Sequence, residues 1–259
     1  MRAVGIEFFT RMLDGEIDIS AFPDATEERM QAMLDGMALR TKFFDDYFGA
    51  AGDAGIRQAV ILAAGLDSRA YRLPWPAGTT VYEFDQPQVV EFKTVTLAGI
   101  GAQPTAQRRT VGIDLRGDWP VALRAAGLNP SVPTAWCAEG LLIYLPGEAQ
   151  DKLFDQITEL SAPGSTVATE YVPGIRDVNP NRAQTVAQNM RDQGLDLDMA
   201  SLVYPGQRSP VMDYLGSIGW DVTGVSRSEL FTRNNIAPPE PDETDPLGEI
   251  IYVSATLGD

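Results

Sequence analysis

Between residues 58 and 171 the chain repeats one pattern: a short apolar run, a carboxylate at its end, then a stretch able to form a helix. TTVYEF ends in Asp85, RRTVGI (108 to 113) in Asp114, the run 134 to 138 in Glu139, and the run 165 to 168 near Glu170 and Tyr171. Short strands alternating with helices specify an α/β fold with a parallel sheet. Strands covered by helices on both faces read as continuous apolar runs. Open sheets of this kind bind ligands outside the carboxyl ends of their strands. One acid there is usually a helix cap, whereas four in register point to a polar, cationic ligand. Two or three of the four remain open as caps.

The first unit, QAVILAAGLDSRAYR (58 to 72), runs through an apolar strand at 59 to 64, turns at Gly65 and becomes helix-compatible at Asp67, Ser68 and Arg69. A glycine lets backbone approach a ligand closely, and the helix after it offers unpaired N–H groups and the positive end of its dipole. Such a corner suits a nucleotide-bearing cofactor, and an ordinary βα turn is the alternative. Asp85 stands 20 residues beyond Gly65, the interval at which dinucleotide-binding folds place an acid for ribose hydroxyls. Its two oxygens can accept from a vicinal diol, or they can cap a helix starting near Pro87.

Composition narrows the chemistry. The 259 residues, 44% hydrophobic, suffice for one large domain spanning 1 to 259. A formal charge of -16 repels nucleic acid and anionic membranes. With no spanning-length apolar run and no secretory leader pattern, the reading is cytoplasmic, with a small molecule as the partner. The sequence has no histidine and a single cysteine, Cys137. Histidine general bases, Ser-His-Asp and Cys-His nucleophiles and zinc sites are thereby excluded, and no metal is expected. Cys137 reads as a core residue of the fourth strand.

Residues 4 to 48 read as a helical lead-in, broken at Gly15 and Pro23, with Thr26 as an N-cap and with Met30, Met33, Leu34, Met37 and Phe44 at helical spacing. Arg40, near the end of that helix, reads from spacing alone as a solvated or dipole-compensating cation. From Pro173 to Pro210 the alternation stops, as for an inserted helical cover bearing Met190, Met199 and Tyr204. It resumes with a helix at 211 to 218, a strand at 220 to 225, an acidic proline-rich loop and a terminal strand in GEIIYVSATL, expected to pair antiparallel with the 220 strand.

Taken in order, ILAAGLDSRAYRLPWP, VYEFDQP, IDLRGDW and AEGLLIYLP resemble the S-adenosylmethionine-dependent methyltransferases of the leucine carboxyl methyltransferase type, and most closely their actinobacterial branch. The resemblance covers nearly the whole chain. It implies a class I methyltransferase, Rossmann-like sheet of seven strands with the last antiparallel, and S-adenosyl-L-methionine as cofactor. Carried over residue by residue, it makes Arg40 the arginine that holds the cofactor carboxylate. Ala63 and Gly65 would border the methionine portion, and Asp85 would bind the ribose. Asp114 with the Leu115 backbone would hold the adenine, and Glu139 would be a cofactor-site acid. Where the family has the first glycine of its loop, this sequence has Ala63. Family members usually carry a further N-terminal helical segment that closes over the cofactor, and this sequence is read as starting after it.

Methyl transfer from a sulfonium is an in-line displacement dominated by positioning, which a histidine-free site can perform. The expected acceptor atom is oxygen: a carboxylate, which needs no base, or a hydroxyl, if Glu139, Glu170, Tyr144 or Tyr171 takes its proton. Two other readings stand beside it. A non-catalytic binding protein could keep the cofactor fold without the N-terminal lid. A nicotinamide-dependent oxidoreductase shares the Asp85 interval but requires the GxGxxG turn, of which AAGLDSR has one glycine.

Overall fold

The structure, a computed structural model, describes residues 26–173, 202–204, 206–240 and 249–258, with Thr10, Arg11, Asp14, Glu16, Gln188 and Arg191. Helix α1 (Glu27–Asp53) leads in, its first turn capped by the Thr26 hydroxyl accepting from the Arg29 N–H at 3.1 Å. Then follow β1 (Gln58–Ile61), α2 (Arg69–Arg72), β2 (Thr80–Asp85), α3 (Pro87–Gly99), β3 (Gln107–Gly112), α4 (Trp119–Ala125) and β4 (Thr134–Ala138). A 3-10 turn (Leu142–Tyr144), α5 (Gly147–Glu159) and β5 (Thr166–Tyr171) come next. The chain closes with α6 (Val211–Ser217), β6 (Trp220–Ser226), α7 (Arg227–Arg233) and β7 (Ile251–Leu257).

The sheet has the order β3-β2-β1-β4-β5-β7-β6. Its first five strands are parallel, and β7 lies antiparallel between β5 and β6. Alternation along the central strands splits the core into two faces. Val60, Leu62 and Trp136 pack with Trp119 and Phe154 on one side. Ala59, Ile61 and Cys137 pack with Phe44, Phe48 and Phe231 on the other. Covered on both faces, β4 is buried at every position, which explains its apolar reading. Cys137 is fully buried and its thiol is pushed well above the usual range by that burial, as expected of a core residue. No helix among the described residues is long and apolar enough to cross a membrane.

Three elements depart from the sequence reading. Strand β1 ends at Ile61, three residues before the apolar run stops, because Ala63 adopts a left-handed φ of 50° and turns the chain. In α1 only Phe44 of the periodic apolar set is fully buried, while Met33, Leu34 and Met37 are half exposed. Burial in that helix starts at Leu39, where it reaches the sheet. Helix α7 has no counterpart in the sequence reading. Its signal is Ser226 followed by Glu229, the spacing of a capping box, and the Ser226 hydroxyl accepts from the Glu229 N–H at 3.1 Å. Most of the segment 173 to 210, including Met190 and Met199, lies outside the described residues, as do Gly15 and Pro23.

Candidate active site

The parallel strands deliver their carboxyl ends to one edge. In register, Asp85 of β2 sits opposite Gly112, two residues before Asp114, and Ala138 sits opposite Thr169, so Glu139 and Glu170 emerge side by side. Across the edge the order is Asp114, Asp85, the turn 62 to 68, Glu139 and Glu170. The four acids do not share one role.

Asp85 clamps the turn. Its Oδ2 accepts from the Gly65 N–H at 2.7 Å and its Oδ1 from the Gln86 N–H at 2.7 Å. The helix-cap alternative is not realised, since α3 starts with Gln86 at its cap, Pro87 following, and no side-chain cap bond. Gly65 has a φ of 45°, and a Cβ there would meet only the Ala63 carbonyl, at 3.9 Å. The Ala63 left-handed backbone costs about 1 kcal/mol that a glycine would not incur. Asp114, more than a third exposed, accepts from the Arg116 N–H at 2.9 Å and pairs with its guanidinium. The Arg116 hydrogen bonds hold its carboxyl down at about 2. Leu115 beside it packs against the core cluster.

At β4 and β5 the acids meet arginines. Arg40 Nε donates to both Glu170 oxygens at 2.9 and 2.7 Å, and its Nη1 lies 2.8 Å from Glu139 Oε1. Its side chain is 23% exposed, so the solvated-cation reading fails. Arg69, 4% exposed, donates to Asp45 at 2.7 Å and to Glu139 Oε2 at 2.6 Å and pairs with Asp67, while Arg72 also binds Asp45. Three guanidiniums face four carboxylates, leaving one net negative charge. Burial by itself would lower the arginine pKa values, but the hydrogen bonds and charges of their acidic partners outweigh it, so both Arg40 and Arg69 stay permanent cations. For Glu139, burial raises the carboxyl above the usual glutamate range and the two guanidiniums oppose that rise.

Two cavities open against this cluster. The first, about 270 Å³, is bounded by Arg40, Ala63, Ala64, Ser68, Arg69 and Glu139. The second, about 220 Å³, lies under the turn after β4 and is bounded by Leu141, Leu142, Ile143, Tyr144, Glu170 and Ile250. Arg40 lines both. Of the residues singled out from sequence, Arg40, Ala63 and Glu139 therefore border one cleft. Gly65 and Asp85 flank its turn, and Asp114 and Leu115 continue the edge beyond Asp85. The ionic partners Asp45, Asp67 and Arg69 were not found by sequence reasoning. The DSR of the first motif carried the signal for two of them, but Asp45 reaches the site from α1 through tertiary packing alone.

Gly140, in the turn between the two acids, has a φ of 64°, and a Cβ on it would stand 3.1 Å from Arg40 Nη2. Its N–H donates to Glu170 Oε1 at 3.0 Å. Gly140→Ala should therefore displace the Arg40 guanidinium. The expected result is about a tenfold loss of affinity for a ligand anion at Arg40, with a stability loss of about 1–2 kcal/mol from the left-handed backbone. Calorimetric titration with S-adenosylhomocysteine and urea unfolding measure the two separately.

A seven-stranded sheet with this strand order and an antiparallel seventh strand, with an acid-lined carboxyl edge, defines the class I methyltransferase architecture. Residues 1–158 match the leucine carboxyl methyltransferase family, and the chain belongs to it. A protein of Mycolicibacterium vanbaalenii named "Putative S-adenosyl-L-methionine-dependent methyltransferase" is 67% identical over 256 residues, covering 98% of this chain and 84% of its own. One of the same name from Mycobacterium marinum is 66% identical over 257 residues, covering 99% and 84%. Among solved structures, the magnesium protoporphyrin IX methyltransferase of Synechocystis PCC 6803 with bound S-adenosylmethionine superposes with a TM-score of 0.54. It is 12% identical and the match covers 98% of this chain and 91% of that one, so the likeness is one of fold.

Proposed function

We propose that this chain methylates an oxygen of a small-molecule acceptor, using S-adenosyl-L-methionine seated along the carboxyl edge. The observation that carries the reading is the Asp85 carboxylate locked onto the Gly65 turn beside a cleft whose ionic wall holds one net negative charge. The donor set fits the cofactor. Arg40 offers a permanent cation for its carboxylate, and Glu139 offers an anion for its ammonium. Among the described residues the Asp85 oxygens each take one hydrogen bond, and they can accept further from a ribose diol. Asp114 and Leu115 lie farther along the same edge, where the base would rest. The names of the mycobacterial relatives support the same cofactor.

The cofactor supplies an electrophilic methyl on a sulfonium. The residues of the chain hold, orient and exclude water: the turn 63 to 65 fixes the backbone close to the ligand, and the arginine cluster keeps Glu139 and Glu170 in place. The single excess negative charge favours a cationic ligand over its neutral product, which assists release after transfer. No histidine is needed for this work.

Titration with S-adenosylmethionine, S-adenosylhomocysteine and NAD tests the reading. Binding of the two sulfur compounds with none of NAD is the expected outcome. Binding of NAD in preference would return the chain to the oxidoreductase reading.

A further inference from the structure

The partition between the two cavities is asymmetric. Glu139 lines the cofactor-side cleft and not the other, Glu170 lines the second cavity and not the first, and Arg40 spans both. The walls of the second cavity are otherwise mostly apolar, built from Leu141, Leu142, Ile143, Val172 and Ile250, with the half-buried Tyr144 phenol at its rim. We infer that this cavity receives the acceptor as a neutral, apolar molecule bearing an acidic hydroxyl of the phenol or enol type, and that Glu170 is the catalytic residue that takes its proton. The inference rests on the methyltransferase reading above and chooses between the acceptors it allows.

Charge decides the choice. Arg40, the cation shared with that cavity, already pairs with two carboxylates, Glu139 and Glu170, and on the reading above takes the cofactor carboxylate as well. A carboxylate acceptor would bring a further anion against Glu170 with no unengaged cation lining the cavity among the described residues. A neutral hydroxyl meets no such repulsion, and its apolar body is matched by the aliphatic walls. Glu170 keeps an acceptor position open. Its Oε1 is held by Arg40 and by the Gly140 N–H, while Oε2 takes only the Arg40 Nε bond among the described residues, so an acceptor lone pair remains. In the transfer, the hydroxyl oxygen forms its bond to the methyl carbon as the carbon–sulfur bond breaks with its electron pair going to sulfur. The hydroxyl proton passes to Glu170 Oε2.

The test uses a matched pair of probes, meta-isopropylphenol and meta-isopropylbenzoate, titrated at neutral pH into the protein saturated with S-adenosylhomocysteine. The phenol should bind at least about tenfold more tightly than the benzoate, and Glu170→Gln should shrink that preference by at least about tenfold by removing the repelling charge. Ile250→Trp, which fills the cavity from its apolar side, should abolish binding of both probes while S-adenosylhomocysteine still binds. Equal or tighter binding of the benzoate overturns the inference. So does an unchanged preference in Glu170→Gln, or binding of neither probe by the loaded protein. Failure of the protein to bind S-adenosylhomocysteine at all is a different result and removes the methyltransferase reading itself.

Discussion

Glu83→Ala should destabilise the fold by about 3–5 kcal/mol, the cost of leaving buried charges without their counter-ion. Glu83 sits mid-strand in β2 and is 1% exposed. Lys93 from α3 lies 2.8 Å from its Oε2, and Arg108 from β3 donates to the same oxygen at 2.8 Å. Both cations are themselves buried, Lys93 to 3% and the Arg108 side chain to 9%. Removing the acid therefore leaves two buried positive charges facing each other. For a chain of this length the loss corresponds to a fall in Tm of about 10 °C. Urea unfolding followed by circular dichroism measures it. Glu83 borders neither cleft, so S-adenosylhomocysteine affinity at a temperature where the variant is folded should be unchanged. Replacing all three members by apolar residues of similar volume should recover most of the loss, because the favourable pairing only offsets the desolvation of the ions. A Glu83→Ala variant as stable as the parent would overturn this account of the cluster.

Asp85→Ala is expected to lower the affinity for S-adenosylhomocysteine by about a hundredfold, with a much smaller effect on stability. Two charge-assisted hydrogen bonds to ribose hydroxyls are worth about 1.5–3 kcal/mol each, against about 1.4 kcal/mol per factor of ten. A competing account makes Asp85 only a brace for the turn, through its 2.7 Å bond from the Gly65 N–H. Asp85→Asn separates the two, because the amide oxygen can still brace Gly65 but lacks the charge. On the ligand account the asparagine variant loses a large share of the affinity, and on the brace account it keeps nearly all of it. Calorimetry on both variants, beside their urea midpoints, distinguishes the two.

Glu83 and Asp85 stand two residues apart in one strand, and sequence reading treated them very differently. Asp85 was legible because its interval from Gly65 and its place at the end of an apolar run are local facts. Glu83 is not legible inside VYEF, since nothing local reveals that Lys93 and Arg108 fold back onto it. The same division runs through the site. Gly65, Asp114 and Glu139 lie at strand ends that the alternation of apolar runs and turns marks out, whereas Ala63 reads as part of the first apolar run. Arg40 is the reverse case: its spacing on α1 suggested a solvated cation, and only the resemblance to the family gave it a ligand role. Its partners, 99 and 130 residues away in the chain, explain why.

By itself the sequence determined the order of the strands, the parallel character of the first five and the edge on which the acids collect. These follow from hydrophobic period and turn chemistry, which act over a few residues at a time. Tertiary structure alone decided what the acids do. It placed Asp85 on the turn rather than on a helix cap, and it set Glu139 and Glu170 on opposite sides of Arg40, so that two carboxylates that look alike in sequence border two different cavities. Charge pairing depends on distance through space, and residues far apart in the chain meet only once the sheet has closed and the helices have packed against it.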